Sequence, residues 1–243
     1  MTTYVETNET TFRAGLTETI EAVSGTLKYL AASGCKGFEC SPEQVNIVKT
    51  LGSLQEMQPA ALESIQSAVS ACVRCGLAKT RTHTVFGEGA SRARLVFVGE
   101  GPGYEEDKQG RVFVGAAGQL LTKIIQAMGL TRAEVYICNI IKCRPPGNRI
   151  PAPGEIEACL PFLEQQLKAI QPEYICALGA VAAHTLLKTE TPISRLRGRL
   201  HRFGKISLVP TFHPAYLLRN PDKKRDVWED IQLLMQEMGL QRS

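Results

Sequence analysis

Cys72-Val-Arg-Cys75 is a C-x-x-C pair, and Cys143 and Cys159 follow well downstream among Pro145, Pro146, Pro151 and Pro153. Prolines set turns that can direct thiolates inward, and four thiolates suit zinc or an iron–sulfur cluster equally by softness and geometry. The pair alone would also fit a redox motif, and the spacing does not choose among these. A second set is dispersed: Glu100 and Gly101 within Gly99-Glu-Gly-Pro-Gly103, Asn139 before Ile140 and Ile141, and His213 before Pro214. A carboxylate, an amide and an imidazole of this kind could serve proton transfer, hydrogen-bond recognition and charge stabilisation, provided that the fold gathers them.

The elements that would have to gather them are legible from Cys72 onward. Apolar runs rich in Val and Ile at Leu95–Val98, Val135–Cys138, Tyr174–Leu178 and Ser207–Val209 alternate with helical patterns at Ala116–Met128, Gly154–Ile170, Ala180–Leu187 and Asp222–Met238. Strands spaced by such helices predict an α/β fold with a central parallel sheet of about four strands and helices on both faces. Ligands of such sheets sit beyond the carboxyl ends of the strands, and three of the four runs lead into GEGPG, NIIKCRPP and FHPAYLLRNP. Tyr104 stands where a dinucleotide fingerprint needs its third glycine, and the acidic Glu105-Glu106-Asp107 run predicts that no helix starts there. Cys138 and Cys176 fall within predicted strands and read as core thiols, and His83, His184 and His201 as surface or satisfied residues.

Ahead of this region, Leu16, Ile20, Val23, Leu27 and Leu30 form one stripe of an amphipathic helix, and Glu43–Leu54 reads as a second helix with Pro42 at its first position. Residues 1–68 are therefore expected to be a helical extension, and 69–243 the main domain. Cys35 and Cys40 in the intervening turn read as packing thiols. The net charge of +4 divides unevenly: residues 1–70 carry four Lys/Arg and eight Asp/Glu, and the remainder carries 24 and 16. The basic part is the candidate for nucleic acid. No run of eighteen apolar residues occurs and the N-terminus is polar, so no membrane association and a cytoplasmic monomer are expected. A reducing compartment would not keep eight cysteines as disulfides, which favours a metal reading for some.

Taken together, GEGPGYEEDKQGRVFVGAAGQLL from Gly99, NIIKCRPPGNR from Asn139 and FHPAYLLRNP from Phe212, with the four cysteines, resemble the family 4, thermostable-type uracil-DNA glycosylases over about residues 72–241. The resemblance implies a DNA repair hydrolase that flips uracil out of single- or double-stranded DNA and cleaves its N-glycosidic bond in base excision repair. It implies one structural four-iron four-sulfur cluster on Cys72, Cys75, Cys143 and Cys159. It implies a uracil pocket of Glu100, Gly101, the stacking Phe113, the base-reading Asn139 and His213, with Tyr216, Leu217, Leu218 and Arg219 as the DNA-penetrating segment. Glu100 and His213 would be catalytic. Many members of the wider superfamily use a first-loop aspartate to activate water, and Gly101 at the neighbouring position has no side chain for this.

Two alternatives accompany that expectation. A module of the same fold could bind uracil or single-stranded DNA without turnover, or crosslink to its product, although relatives of that kind carry a first-loop glutamine and a basic insertion that this chain lacks. A cluster-bearing accessory domain of a larger replication assembly is the other, with the stripe of the extension facing a protein partner.

Overall fold

The computed structural model describes residues 62–240; the two helices expected within residues 1–61, with Cys35 and Cys40, lie outside the described residues. The described chain begins with helix α1 (Leu62–Ser70), which buries Ile65 and Val69. The boundary expected at residue 68 falls inside this helix, whose buried face joins the core of the following domain.

The sheet has six strands in the order β1-β3-β2-β4-β6-β5. Its centre is β2 (Leu95–Gly99), β3 (Tyr136–Asn139), β4 (Tyr174–Leu178) and β6 (Ile206–Thr211), all mutually parallel. These are the four strands expected. The two additions are short antiparallel edges: β1 (Glu88–Gly89) on β3 and β5 (His201–Phe203) on β6. Two or three residues are too few for an alternating pattern to register, which is why the sequence expectation stopped at four. β5 joins β6 through Gly204 and Lys205, with Gly204 at φ 57°, a left-handed backbone suited to a two-residue hairpin turn.

Both faces of the sheet are covered. Val96 and Val98 point into one core with Leu163 and Leu167 of α4 (Pro153–Ile170) and Ala182 and Ala183 of α5 (Ala180–Leu187). Leu95 and Phe97 point the other way, onto Leu121 and Ile125 of α3 (Ala116–Ala127). Burial on both sides explains why the strands read as continuous apolar runs. A short helix, α2 (Tyr104–Gln109), starts directly after GEGPG, where none was expected. Its acidic first turn, Glu105 to Asp107, suits the positive end of the helix dipole, and Gly110 at φ 68° ends it. The remaining helices are α6 (Ile193–Leu196), α7 (Pro214–Arg219) and α8 (Lys224–Met238). Among the described residues no helix is long and apolar enough to cross a membrane.

The chain runs from β2 to β3 on one side and then crosses to β4 on the other, so a topological switch lies beside the carboxyl end of β2. The end of β6 is anchored separately. Thr211 Oγ1 donates to Asp230 Oδ2 at 2.6 Å, Arg197 Nε donates to the same oxygen at 2.9 Å, and the Arg197 guanidinium lies 5.7 Å from the Phe212 ring centroid. Asp230 is fully buried, so its removal strands a buried hydroxyl and a guanidinium. Asp230→Ala should cost about 3 kcal/mol in urea unfolding with an unchanged m value. A change below about 0.5 kcal/mol would show that this network does not anchor β6.

Candidate active site

Glu100, Gly101, Phe113, Asn139 and His213 all line one cleft of about 1010 Å³ at the carboxyl end of the parallel sheet. The loops after β2, α2 and β6 and the last residue of β3 deliver them, and close approach depends on glycine. A Cβ on Gly99 would lie 2.4 Å from Asn139 Oδ1 and 2.7 Å from Phe113 Cζ. Gly179, at φ 91°, leaves room for His213, whose Cβ would stand 3.0 Å from a Cβ at that position.

Phe113 is 7% exposed and sits at φ 50°, in the left-handed region that bulky residues rarely adopt. The surroundings hold it there from both sides. Arg132 donates to Val112 O at 2.8 Å and to Phe113 O at 3.2 Å, while Glu106 Oε1 accepts from the amides of Val114 and Gly115 at 2.9 Å each. Glu88 in turn pairs with Arg132. Strain of this kind persists where neighbours over-determine the backbone, and it fixes the ring face that the cleft presents. The Phe113 and His213 rings stack with centroids 5.6 Å apart.

Asn139, the last residue of β3, is 1% exposed, and its Oδ1 has no hydrogen-bond partner. Leaving a buried acceptor unmade costs about 1–3 kcal/mol, a cost that a ligand donor would remove. The backbone of this residue is secured from behind, since the buried Lys142 Nζ donates to Asn139 O at 2.7 Å. His213 caps α7, with Nδ1 accepting from the Ala215 amide at 3.1 Å. Nδ1 is therefore the unprotonated nitrogen, and the neutral ring carries its hydrogen on Nε2. Burial, followed by the nearby Arg219 cation, lowers the His213 pKa to about 4. Burial also raises the Glu100 carboxyl above its usual range.

The segment expected to penetrate DNA is divided by its helix. Tyr216 is half-buried and tilts against Phe212 at 5.1 Å, Leu218 is 49% exposed and Arg219 is exposed. Leu217 is 1% exposed and belongs to the core, so it cannot wedge. Neighbouring residues on a helix point about 100° apart, and on α7 that turn takes Leu217 into the core and Leu218 outward. Glu106 and Arg132 were missed in the sequence. Each acts on residues outside its own element, and a helical Glu or a lone Arg carries no local signal of that role.

Cys72, Cys75, Cys143 and Cys159 line a shared pocket with Arg74, Arg81, Lys142 and Phe162. Arg81 Nη1 approaches Cys143 Sγ at 3.3 Å, and the Lys142 amide approaches Cys159 Sγ at the same distance. Burial raises the thiols of Cys143 and of Cys159, the latter to about 11. Among the described residues no three His, Cys, Asp or Glu side chains are grouped to hold a single ion as they stand. The donor set of four soft sulfurs, gathered from three segments beside three cationic side chains, nevertheless fits an anionic thiolate-bound group. Cys138 and Cys176 are core thiols, as expected. His83, His184 and His201 are occupied by the carbonyls of Asp107, Thr191 and Leu196.

The lowered His213 pKa has a definite sign. Between about pH 4 and 6.5 the unfolded chain binds a proton that the folded chain refuses, so this stabilising contribution is complete above about 6.5 and is lost as pH falls toward 4. Long-range ¹H–¹⁵N correlation at pH 6 should show His213 neutral with its hydrogen on Nε2. An imidazolium pattern at that pH would refute the assignment.

A family model described as the uracil DNA glycosylase superfamily matches residues 86–232. A type-4 uracil-DNA glycosylase of Thermotoga maritima is 47% identical over 175 residues, which is 70% of this chain and 91% of that protein. Those of Archaeoglobus fulgidus and Sulfurisphaera tokodaii are each 42% identical, over 74% and 70% of this chain and 94% and 81% of theirs. With the cleft, its strand-end loops and this similarity in agreement, the chain belongs to the type-4 uracil-DNA glycosylases of the uracil-DNA glycosylase superfamily.

Proposed function

We propose that this chain removes uracil from DNA by hydrolysing the N-glycosidic bond, leaving an abasic site for base excision repair. The observation that carries this reading is the buried, unpartnered Asn139 Oδ1 in a cleft it shares with Phe113 and His213. A base inside a duplex is out of reach of such a cleft, so the nucleotide must be extruded into it. Phe113 stacks on the ring, an interaction that any base could make. Discrimination then falls to the edge. Asn139 Oδ1 accepts from uracil N3–H and the amide nitrogen donates to O4; cytosine has no N3 proton and an amino group at that position. A mismatched polar edge of this kind can be rejected by about 10⁴-fold.

Bond cleavage develops negative charge on the uracil, partly at O2, and positive charge on the sugar. A neutral His213 donating from Nε2 stabilises O2 more in the transition state than in the ground state. Glu100 orients the attacking water or accepts its proton, and burial, which raises its pKa, makes it a stronger base than an exposed carboxylate. Leu218 enters the stack, and Arg219, which lines the cleft, holds phosphate. We read Cys72, Cys75, Cys143 and Cys159 as the ligands of one four-iron four-sulfur cluster. When bound, that group serves as a structural crosslink between the 72–75 turn, the loop after β3 and α4. The segment ahead of α1 is read as an appendage that docks another protein, on a monomeric glycosylase domain acting inside the cell.

A uracil-containing oligonucleotide incubated with the protein and then treated with alkali should break at the uracil. Absence of scission on both single- and double-stranded substrate would leave only the binding or crosslinking readings of this fold. Glu100→Gln should lower the excision rate by about 10²-fold or more while DNA affinity is retained. Wild-type activity in that variant would remove Glu100 from the mechanism. Protein purified without oxygen should be brown with equal iron and sulfide, whereas a colourless zinc protein would overturn the cluster assignment.

A further inference from the structure

Ile150 is 70% exposed, yet it lines the same cleft as Phe113, Asn139 and His213. Single exposed aliphatic residues are common on flexible surfaces, where they can fold back onto apolar neighbours. Here the loop forbids that. Arg144 Nε donates to Asn148 Oδ1 at 2.6 Å, and the Asn148 amide donates to Pro145 O at 3.0 Å. Arg149 grips Glu155 through two bonds of 2.7 and 2.8 Å and donates to Ile150 O at 3.1 Å. Glu155 also accepts from the Ala152 amide at 2.8 Å. Gly147 and Asn148 are held at φ 64° and 57°, and Pro151 and Pro153 stiffen the exit. A rigid loop thus holds an isoleucine out in water on the rim of the cleft. Leu218 offers a second exposed aliphatic side chain, from α7.

Resting on the reading of the cleft as a uracil pocket, we propose that Ile150 is a second apolar contact on duplex DNA. It packs on a base step beside the extruded nucleotide while Leu218 fills the space that the nucleotide leaves. Extruding one nucleotide from a duplex uncovers the faces of its neighbours, so two aliphatic contacts can be used at once. A single strand is already unstacked and gains less from the second contact. Ile150 therefore sets the preference for double-stranded over single-stranded substrate.

The test uses the full chain with Ile150→Ala and Ile150→Leu. The first readout is kcat/KM on matched single- and double-stranded uracil oligonucleotides, and the second is Kd for the same two forms carrying a non-cleavable abasic analogue. Ile150→Ala should lower the duplex-to-single-strand ratio by about tenfold in both readouts, and Ile150→Leu should restore it. The Ala variant should unfold at the wild-type temperature, because the side chain touches little of the protein. Equal losses on both forms, or an unchanged ratio, would overturn the proposal. A wild-type protein without excision activity, whose duplex preference in the analogue assay still vanishes on Ile150→Ala, would sink the proposed reaction and leave the contact standing.

Discussion

Gly99 and Asn139 are register partners at the carboxyl ends of two parallel strands, and the arrangement of the cleft follows from what that pairing permits. The space that a Cβ would occupy on Gly99 is taken by the Asn139 amide and the Phe113 ring. Any other residue there would push the Asn139 amide away from the Phe113 ring. The same closeness explains the strained Phe113 backbone, since its ring must reach into the gap beside a strand while its chain turns toward α3. A cleft preorganised in this way does not have to reorganise when charge develops, and electrostatic stabilisation depends on that rigidity.

Charged side chains wholly or partly removed from water have a positioning role throughout. Glu106 ties down two amides after Phe113, Arg132 clamps two carbonyls around it, and Asp230 anchors the strand that delivers His213. Lys142 is the most economical case, because one residue holds the Asn139 carbonyl with its ammonium and offers its own amide toward Cys159 Sγ. Ionic groups are costly to bury, and each of these has hydrogen-bond partners that make its geometry specific. The neutral His213 is the counterpart: burial and a neighbouring cation keep it uncharged, so it enters as a donor without bringing a positive charge into the pocket.

The loop from Cys143 to Ala152 connects two regions with different demands. At one end its cysteine belongs to the sulfur-lined pocket, and at the other Arg149 and Ile150 reach the cleft rim. Prolines and the Arg149–Glu155 pair stiffen the span between them. One stiffened loop thus joins the sulfur-lined pocket to the rim of the cleft.

Periodicity and residue type were enough to locate the four parallel strands, their intervening helices and the core thiols, because each of these leaves a local mark such as an apolar run; the set of five cleft residues came instead from the resemblance of three loops to a known family. The two edge strands and α2 left none, being too short to establish a period. Leu217 and Leu218 are chemically identical neighbours, and their fates diverge only because α7 turns one into the core and the other outward. Glu106 and Arg132 were likewise hidden, since hydrogen bonds across the fold do not alter local composition. The chain's residue order thus specified which groups were available and which strand ends they followed, through patterns that span a few residues. Packing settled which groups face the cleft, which nitrogen of His213 carries its hydrogen and which amide oxygen is left open, because those depend on distances between segments far apart in the chain.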